Sequence, residues 1–126
     1  MSKICFDIDG VVCGLEKNND YKKSKPIKKK IKFINKLFDE GYYIILFTAR
    51  YMGRNNDNIK KAKKIGYKST LKQLKSWKVK FHKLIFGKPS YDFIIDDKAI
   101  FFKKKWTTEL NKILLNEKKW NVKKIF

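Results

Sequence analysis

An α/β fold with a mainly parallel central sheet is predicted by three observations. Short apolar runs at residues 3–8, 42–47, 84–86 and 91–95 read as strands. Stretches with helical periodicity or capping chemistry separate most of them. Polar residues able to do chemistry stand at the end of each run, where open α/β sheets bind their ligands.

The elements follow in order. KICFDI (3–8) is apolar with aromatic and β-branched content and predicts the first strand, with Cys5 as a small core residue. GVVCGLEKNNDYKKS, punctuated by Gly10 and Gly14, predicts a loop or flap. Pro26 suits a helix first turn, and Gly41 suits the position just past its end. Between them Ile27, Ile31, Ile34 and Phe38 form a buried stripe, with Lys28, Lys29, Lys32 and Lys36 on the wet side. YYIILF (42–47) is unbroken in its apolarity, which predicts a strand covered on both faces. TARYMGRNN predicts a loop. A lysine-rich helix is expected over 57–64, stopping before Gly66, and a second over 71–77, with Thr70 and Gln73 as its capping box. LIF (84–86) and YDFII (91–95) predict the last two strands. Asp97 to Phe102 predicts a helical turn, and Thr107 or Thr108 is expected to cap a final helix carrying Leu110, Ile113 and Leu114. The tail NVKKIF carries no decisive signal.

The chain of 126 residues fits one domain, 1–126, and its 43% hydrophobic content is enough for a core. No apolar run approaches the roughly 18 residues that a membrane span needs. MSKICFDIDG lacks the pattern of a leader, and two cysteines without CxxC spacing make neither a disulfide framework nor a zinc site. These features lead us to expect a cytoplasmic protein with reduced thiols and no membrane partner. The net charge of +20 invites a nucleic-acid reading. Only Arg50 and Arg54 are arginine, however, and alanine, glycine and proline are scarce beside lysine, asparagine and isoleucine. That bias matches an AT-rich coding sequence, so we read the charge as mainly background and nucleic acid as an unlikely partner. The charge should still repel copies of the chain and attract anionic substrates.

The strand ends read Asp7–Ile8–Asp9–Gly10, Thr48–Ala49–Arg50, Gly87–Lys88–Pro89 and Asp96–Asp97. Four of only 12 acidic residues thus fall at the ends of two strands. Carboxylates crowded in this way repel each other unless a cation sits between them. An oxygen-only set favours a hard ion, and magnesium suits few carboxylates plus phosphate and water. Either acidic pair alone would pass as turn residues. Arg50, in a chain that otherwise uses lysine, suggests a planar bidentate contact with a phosphate or an acidic leaving group. His82, the only histidine, is read as a surface or core residue.

Four segments in order resemble the motifs of the haloacid dehalogenase superfamily: FDIDGVV, ILFTAR, FGKPSYD and FIIDDKA. They run from Phe6 to Ala99. The resemblance implies a Rossmann-like three-layer sandwich and a phosphatase using Mg2+. Asp7 would be the nucleophile, and Asp9 the acid–base that also offers its backbone carbonyl to the metal. Asp97 would bind magnesium directly, with Asp96 acting through water or Lys88. Thr48 and Lys88 would hold the phosphoryl group and orient Asp7. Gly10, Ala49, Arg50 and Arg54 would line the substrate side. The Gly–Lys–Pro context favours Lys88 over Lys80 and Lys83. The pattern is similar to small bacterial phosphatases of capsular or surface polysaccharide biosynthesis, which implies a sugar phosphate or similar metabolite as substrate. A polynucleotide 3′-phosphatase and a non-catalytic nucleic-acid-binding protein are the alternatives. No GxxxxGK[ST] loop accompanies the first, and intact Asp7 and Asp9 argue against the second. The gaps 10–42 and 50–84 are too short for an independent insert, so no cap domain is expected. An open site of that kind implies a homo-oligomer, in which a neighbouring subunit supplies part of the wall.

Overall fold

In a computed structural model of the protein, residues 2–102 and 104–125 are described, with side chains described as far as Lys118. The chain divides into two compact units, Met1–Tyr91 and Asp92–Phe126.

The first unit is a βαβαβ arrangement. Strands β1 (Lys3–Phe6), β2 (Tyr43–Thr48) and β3 (Lys83–Phe86) form a parallel sheet in the order β1-β2-β3. Ile4 pairs with Ile44, and Leu46 pairs with both Phe6 and Leu84. In the central strand Ile44, Leu46 and Thr48 are buried, while Tyr43, Ile45 and Phe47 are half-buried. The unbroken apolar run therefore covers one face fully and the other in part.

Helix α1 (Lys28–Asp39) buries Ile31 and Ile34 of the expected stripe together with Leu37, while the expected Ile27 and Phe38 are only half-buried. Each such side chain contributes about 1.5–3 kcal/mol when removed from water. The helix begins two residues after Pro26, whose backbone bridges Cys13 instead. It ends where expected. Gly41 N–H donates to Phe38 O and Tyr42 N–H to Leu37 O, the paired bonds of a Schellman cap.

Two helices were expected between β2 and β3, and one forms. Helix α2 (Ile59–Ser76) runs unbroken through Gly66. The reason lies in packing: a Cβ at Gly66 would fall 2.2 Å from the Tyr51 ring. The glycine admits that ring and does not stop the helix. Asn58 caps α2 by accepting from Lys61 N–H. Thr70 and Gln73 sit inside the helix, not at its start.

Only a flap and α1 separate β1 from β2, and only a loop and α2 separate β2 from β3. The expected core residue Cys5 is exposed. His82 stacks on Phe38 and Tyr43, with ring centroids 4.5 and 4.6 Å away, and its Nδ1 accepts Ile44 N–H.

The second unit corrects the fourth strand. Residues 91–95 have no strand structure, and Phe93 and Ile95 lie almost wholly in solvent. A strand needs a ladder partner for its backbone, and none of the described residues pairs with this run. Asp96 behaves as a turn residue, its Oδ1 accepting Lys98 N–H at 2.8 Å. A turn spans Asp97 and Lys98, and no helix follows it before Phe102. Helix α3 (Trp106–Ile125) begins before Thr107 and Thr108, so neither is a cap. Trp106, Leu110 and Leu114 are buried, while Ile113 is 47% exposed. The undetermined segment 121–125 is helical.

Candidate active site at the carboxyl edge of the sheet

Three parallel strands deliver their following residues to one edge. Asp7 and Asp9 follow β1, Thr48 closes β2 and Lys88 follows β3. The chain turns sharply after Asp9. Gly10 has φ 86°, a conformation that glycine adopts without steric cost. Ile8 O then accepts the amides of Val11, Val12 and Cys13, which ties the flap root to the strand. Gly87 has φ 101° and turns the backbone so that Lys88 N–H reaches Thr48 O at 3.1 Å.

Lys88 Nζ lies 3.2 Å from Asp7 Oδ2, with the Asp7 side chain 36% exposed. The other Asp7 oxygen accepts Ile8 N–H at 2.8 Å. Partial burial would lower the Lys88 ammonium. Its bonds to Tyr91 and Asp7 outweigh that and hold it above the ordinary lysine range. Thr48 is fully buried, and its Oγ1 accepts Arg50 N–H at 3.0 Å, leaving the hydroxyl proton free to donate elsewhere.

Arg50 is only 2% exposed. Its Nε and Nη2 hold the two oxygens of Asp9 at 2.9 Å each. Nη1 donates to Gln73 Oε1 at 2.7 Å and to Thr70 Oγ1 at 3.4 Å. Burial disfavours the cation, but Asp9 more than compensates, and the guanidinium is raised above its usual range. The planar bidentate contact expected of Arg50 exists, and its carboxylate is Asp9. Cys13, within 3.7 Å of both Asp9 and Arg50, is pushed up to about 12 by burial first and by Asp9 next, against the opposing Arg50. Arg54 is exposed. Its guanidinium lies about 5 Å from the Tyr21 and Tyr51 rings and donates to Asn19 O at 2.7 Å, joining the loop after β2 to the flap.

The first unit thus brings together Asp7, Asp9, Gly10, Thr48, Ala49, Arg50 and Lys88 along one edge. Asp96 and Asp97 belong to the second unit and are exposed. Among the described residues no three Asp, Glu, His or Cys side chains form a group that could hold a metal ion. Asp7 and the Asp9 carbonyl offer only oxygen, which in kind fits a hard cation. Sequence reasoning missed Thr70, Gln73 and Tyr21. Gln73 and Thr70 were visible as a polar pair, but a capping box was the nearer explanation for them.

A crystal structure of an MCSG target from Vibrio cholerae is similar in fold, with a TM-score of 0.73 and 24% identity over 87% of this chain and 96% of that one. At that identity the likeness establishes the α/β fold alone. No protein-family model matches the chain, and no curated protein matches it significantly.

Proposed function

We propose that the protein is a magnesium-dependent phosphomonoester hydrolase of the haloacid dehalogenase type. It would act through an aspartyl-phosphate on a small phosphorylated metabolite, with a sugar phosphate as the expected class. One observation carries the reading: the Asp7 carboxylate stands half-open at the strand edge, held by Lys88 at 3.2 Å, with Thr48 closing the adjacent strand.

In the first step an Asp7 oxygen attacks phosphorus and the ester P–O bond breaks, while Asp9 gives a proton to the departing oxygen. In the second step water attacks the same phosphorus, Asp9 takes a proton from it, and the Asp7–phosphorus bond breaks to release phosphate. Arg50 occupies one side of the Asp9 carboxylate. A carboxylate has about four lone-pair sites, so Asp9 keeps room for a proton. Lys88 orients Asp7 and offsets phosphoryl charge, and the Thr48 hydroxyl offers a donor to a phosphoryl oxygen. Asp7 and the Asp9 carbonyl would hold Mg2+, an oxygen-only set suited to a hard ion. When bound, the ion neutralises charge on the transferring group.

Phosphate release from an aryl phosphate tests this. Activity is expected with magnesium, lost in EDTA, restored by added magnesium, and absent in Asp7→Asn. Full activity in EDTA or in Asp7→Asn would refute the mechanism.

A further inference from the structure

The mechanism above leaves a partly buried polar chain without a task. Arg50 grips both oxygens of Asp9 at 2.9 Å, and Gln73 Oε1 accepts from the far side of the same guanidinium at 2.7 Å. The other end of Gln73 donates its Nε2 proton to Tyr21 O at 2.8 Å. Tyr21 belongs to the flap, in a 3₁₀ turn over Tyr21–Lys23, and its ring lies 4.8 Å from the Arg50 guanidinium and 4.9 Å from the Tyr51 ring. Its hydroxyl accepts Tyr51 N–H at 3.4 Å. Tyr51 itself has φ 65°, a left-handed conformation that a bulky residue adopts only under surrounding constraint. Asn55 secures it by donating to Tyr51 O at 2.7 Å. Successive bonds share their residues from Asp9 through Arg50 and Gln73 to Tyr21 and Tyr51, so the arrangement is a connected network and not a set of adjacent side chains.

We propose that Arg50 and Gln73 form a clamp that sets the orientation of Asp9 and ties it to the position of the flap. Arg50 is then a positioning residue and not a substrate ligand. Its value to the reaction, which rests on the phosphatase reading, lies in where it places the Asp9 carboxylate. Gln73 joins the Arg50 guanidinium to the flap backbone at Tyr21 O, so displacement of the flap is felt at Asp9. A bidentate fork is required for this, and a lysine cannot supply two parallel bonds to one carboxylate.

Four variants are compared with wild type: Arg50→Lys, Arg50→Ala, Gln73→Met and Gln73→Glu. Arg50→Lys and Gln73→Met are expected to lower kcat by about 10- to 100-fold, the range for lost orienting partners, with KM nearly unchanged. Gln73→Glu keeps the acceptor for Arg50 but loses the donor to Tyr21 O, so it should retain more kcat than Gln73→Met. Guanidinium ion added to Arg50→Ala should recover part of the loss. A raised KM at unchanged kcat would make Arg50 a substrate ligand and overturn the proposal.

A second arm does not depend on turnover. In Gln73→Met the flap loses its tie at Tyr21 O, so trypsin should cut after Lys22 and Lys23 faster than in wild type, at conditions where circular dichroism shows both folded. Equal cleavage rates would overturn the clamp. Gln73→Met preserves the helix and side-chain length, so this arm stands even if the Arg50 variants do not fold. An inactive wild type would overturn the phosphatase reading, and the cleavage rates would then decide the clamp alone.

Discussion

Two carboxylates two residues apart on the same strand end live in opposite surroundings. Asp7 meets one lysine at 3.2 Å and keeps 36% of its side chain in solvent. Asp9 meets a forked arginine through both oxygens, keeps 18%, and its partner keeps 2%. A single point charge on a flexible stem leaves a carboxylate free to react, whereas a buried planar fork dictates its direction. The contrast teaches that adjacent residues of one motif can be separated in role by what the next strand sends toward them.

The largest effect should come from breaking the open member. Asp7→Asn is expected to lower kcat by at least about 10⁴-fold, because no other group replaces an attacking carboxylate. Lys88→Met should cost about 10²- to 10³-fold in kcat, the scale of one lost electrostatic support. Equal losses for Lys88→Met and Asp7→Asn in the same phosphate-release assay would show that Asp7 does not act alone as nucleophile.

Stability should order the two pairs in reverse. Arg50→Met leaves Asp9 without its partner and is expected to cost about 3 kcal/mol. Lys88→Met, at a more open pair, should cost less than about 1 kcal/mol. Urea titrations of both variants measure this, and equal midpoints would erase the distinction between a gripped carboxylate and an open one. The support behind the gripped pair is tested by Gly66→Ala. The added methyl meets the Tyr51 ring at 2.2 Å, so about 1–3 kcal/mol of destabilisation is expected despite the better helix propensity of alanine. A gain in stability would mean that the ring moves aside without cost.

Smaller effects concern the thiols and the charge. Cys13, beside Asp9, should stay unreactive toward an aromatic disulfide reagent at pH 8, while the exposed Cys5 reacts. The folded Cys13 thiol is pushed up to about 12, against about 9.0 for an ordinary thiol. Over that window the unfolded chain releases a proton that the folded chain retains, so stability contributed by Cys13 falls as pH rises. A Cys13→Ala variant should lose that part of the slope in alkaline urea titrations. Last, binding to oligonucleotides should be weak and abolished by modest salt. A dissociation constant tighter than about 10⁻⁶ M at physiological salt would show that the +20 charge is a nucleic-acid surface after all.

What the sequence determined by itself is the local part. The central strand and the cap at Gly41 depend on neighbours within a few residues, and both stand where the pattern puts them. The order of the parallel strands then sends Asp7, Thr48 and Lys88 to one edge. The tertiary structure decided whatever depends on a distant partner. Gly66 reads as a stop until the Tyr51 ring fills the space beside it. Thr70 and Gln73 read as a cap until Arg50 reaches them from another element. YDFII reads as a strand, but an apolar run becomes one only when another backbone pairs with it, and residues 91–95 have no such partner among those described. Propensity is a property of a segment, whereas a ladder, a ring contact and a buried ion pair each need a second segment that sequence spacing does not name.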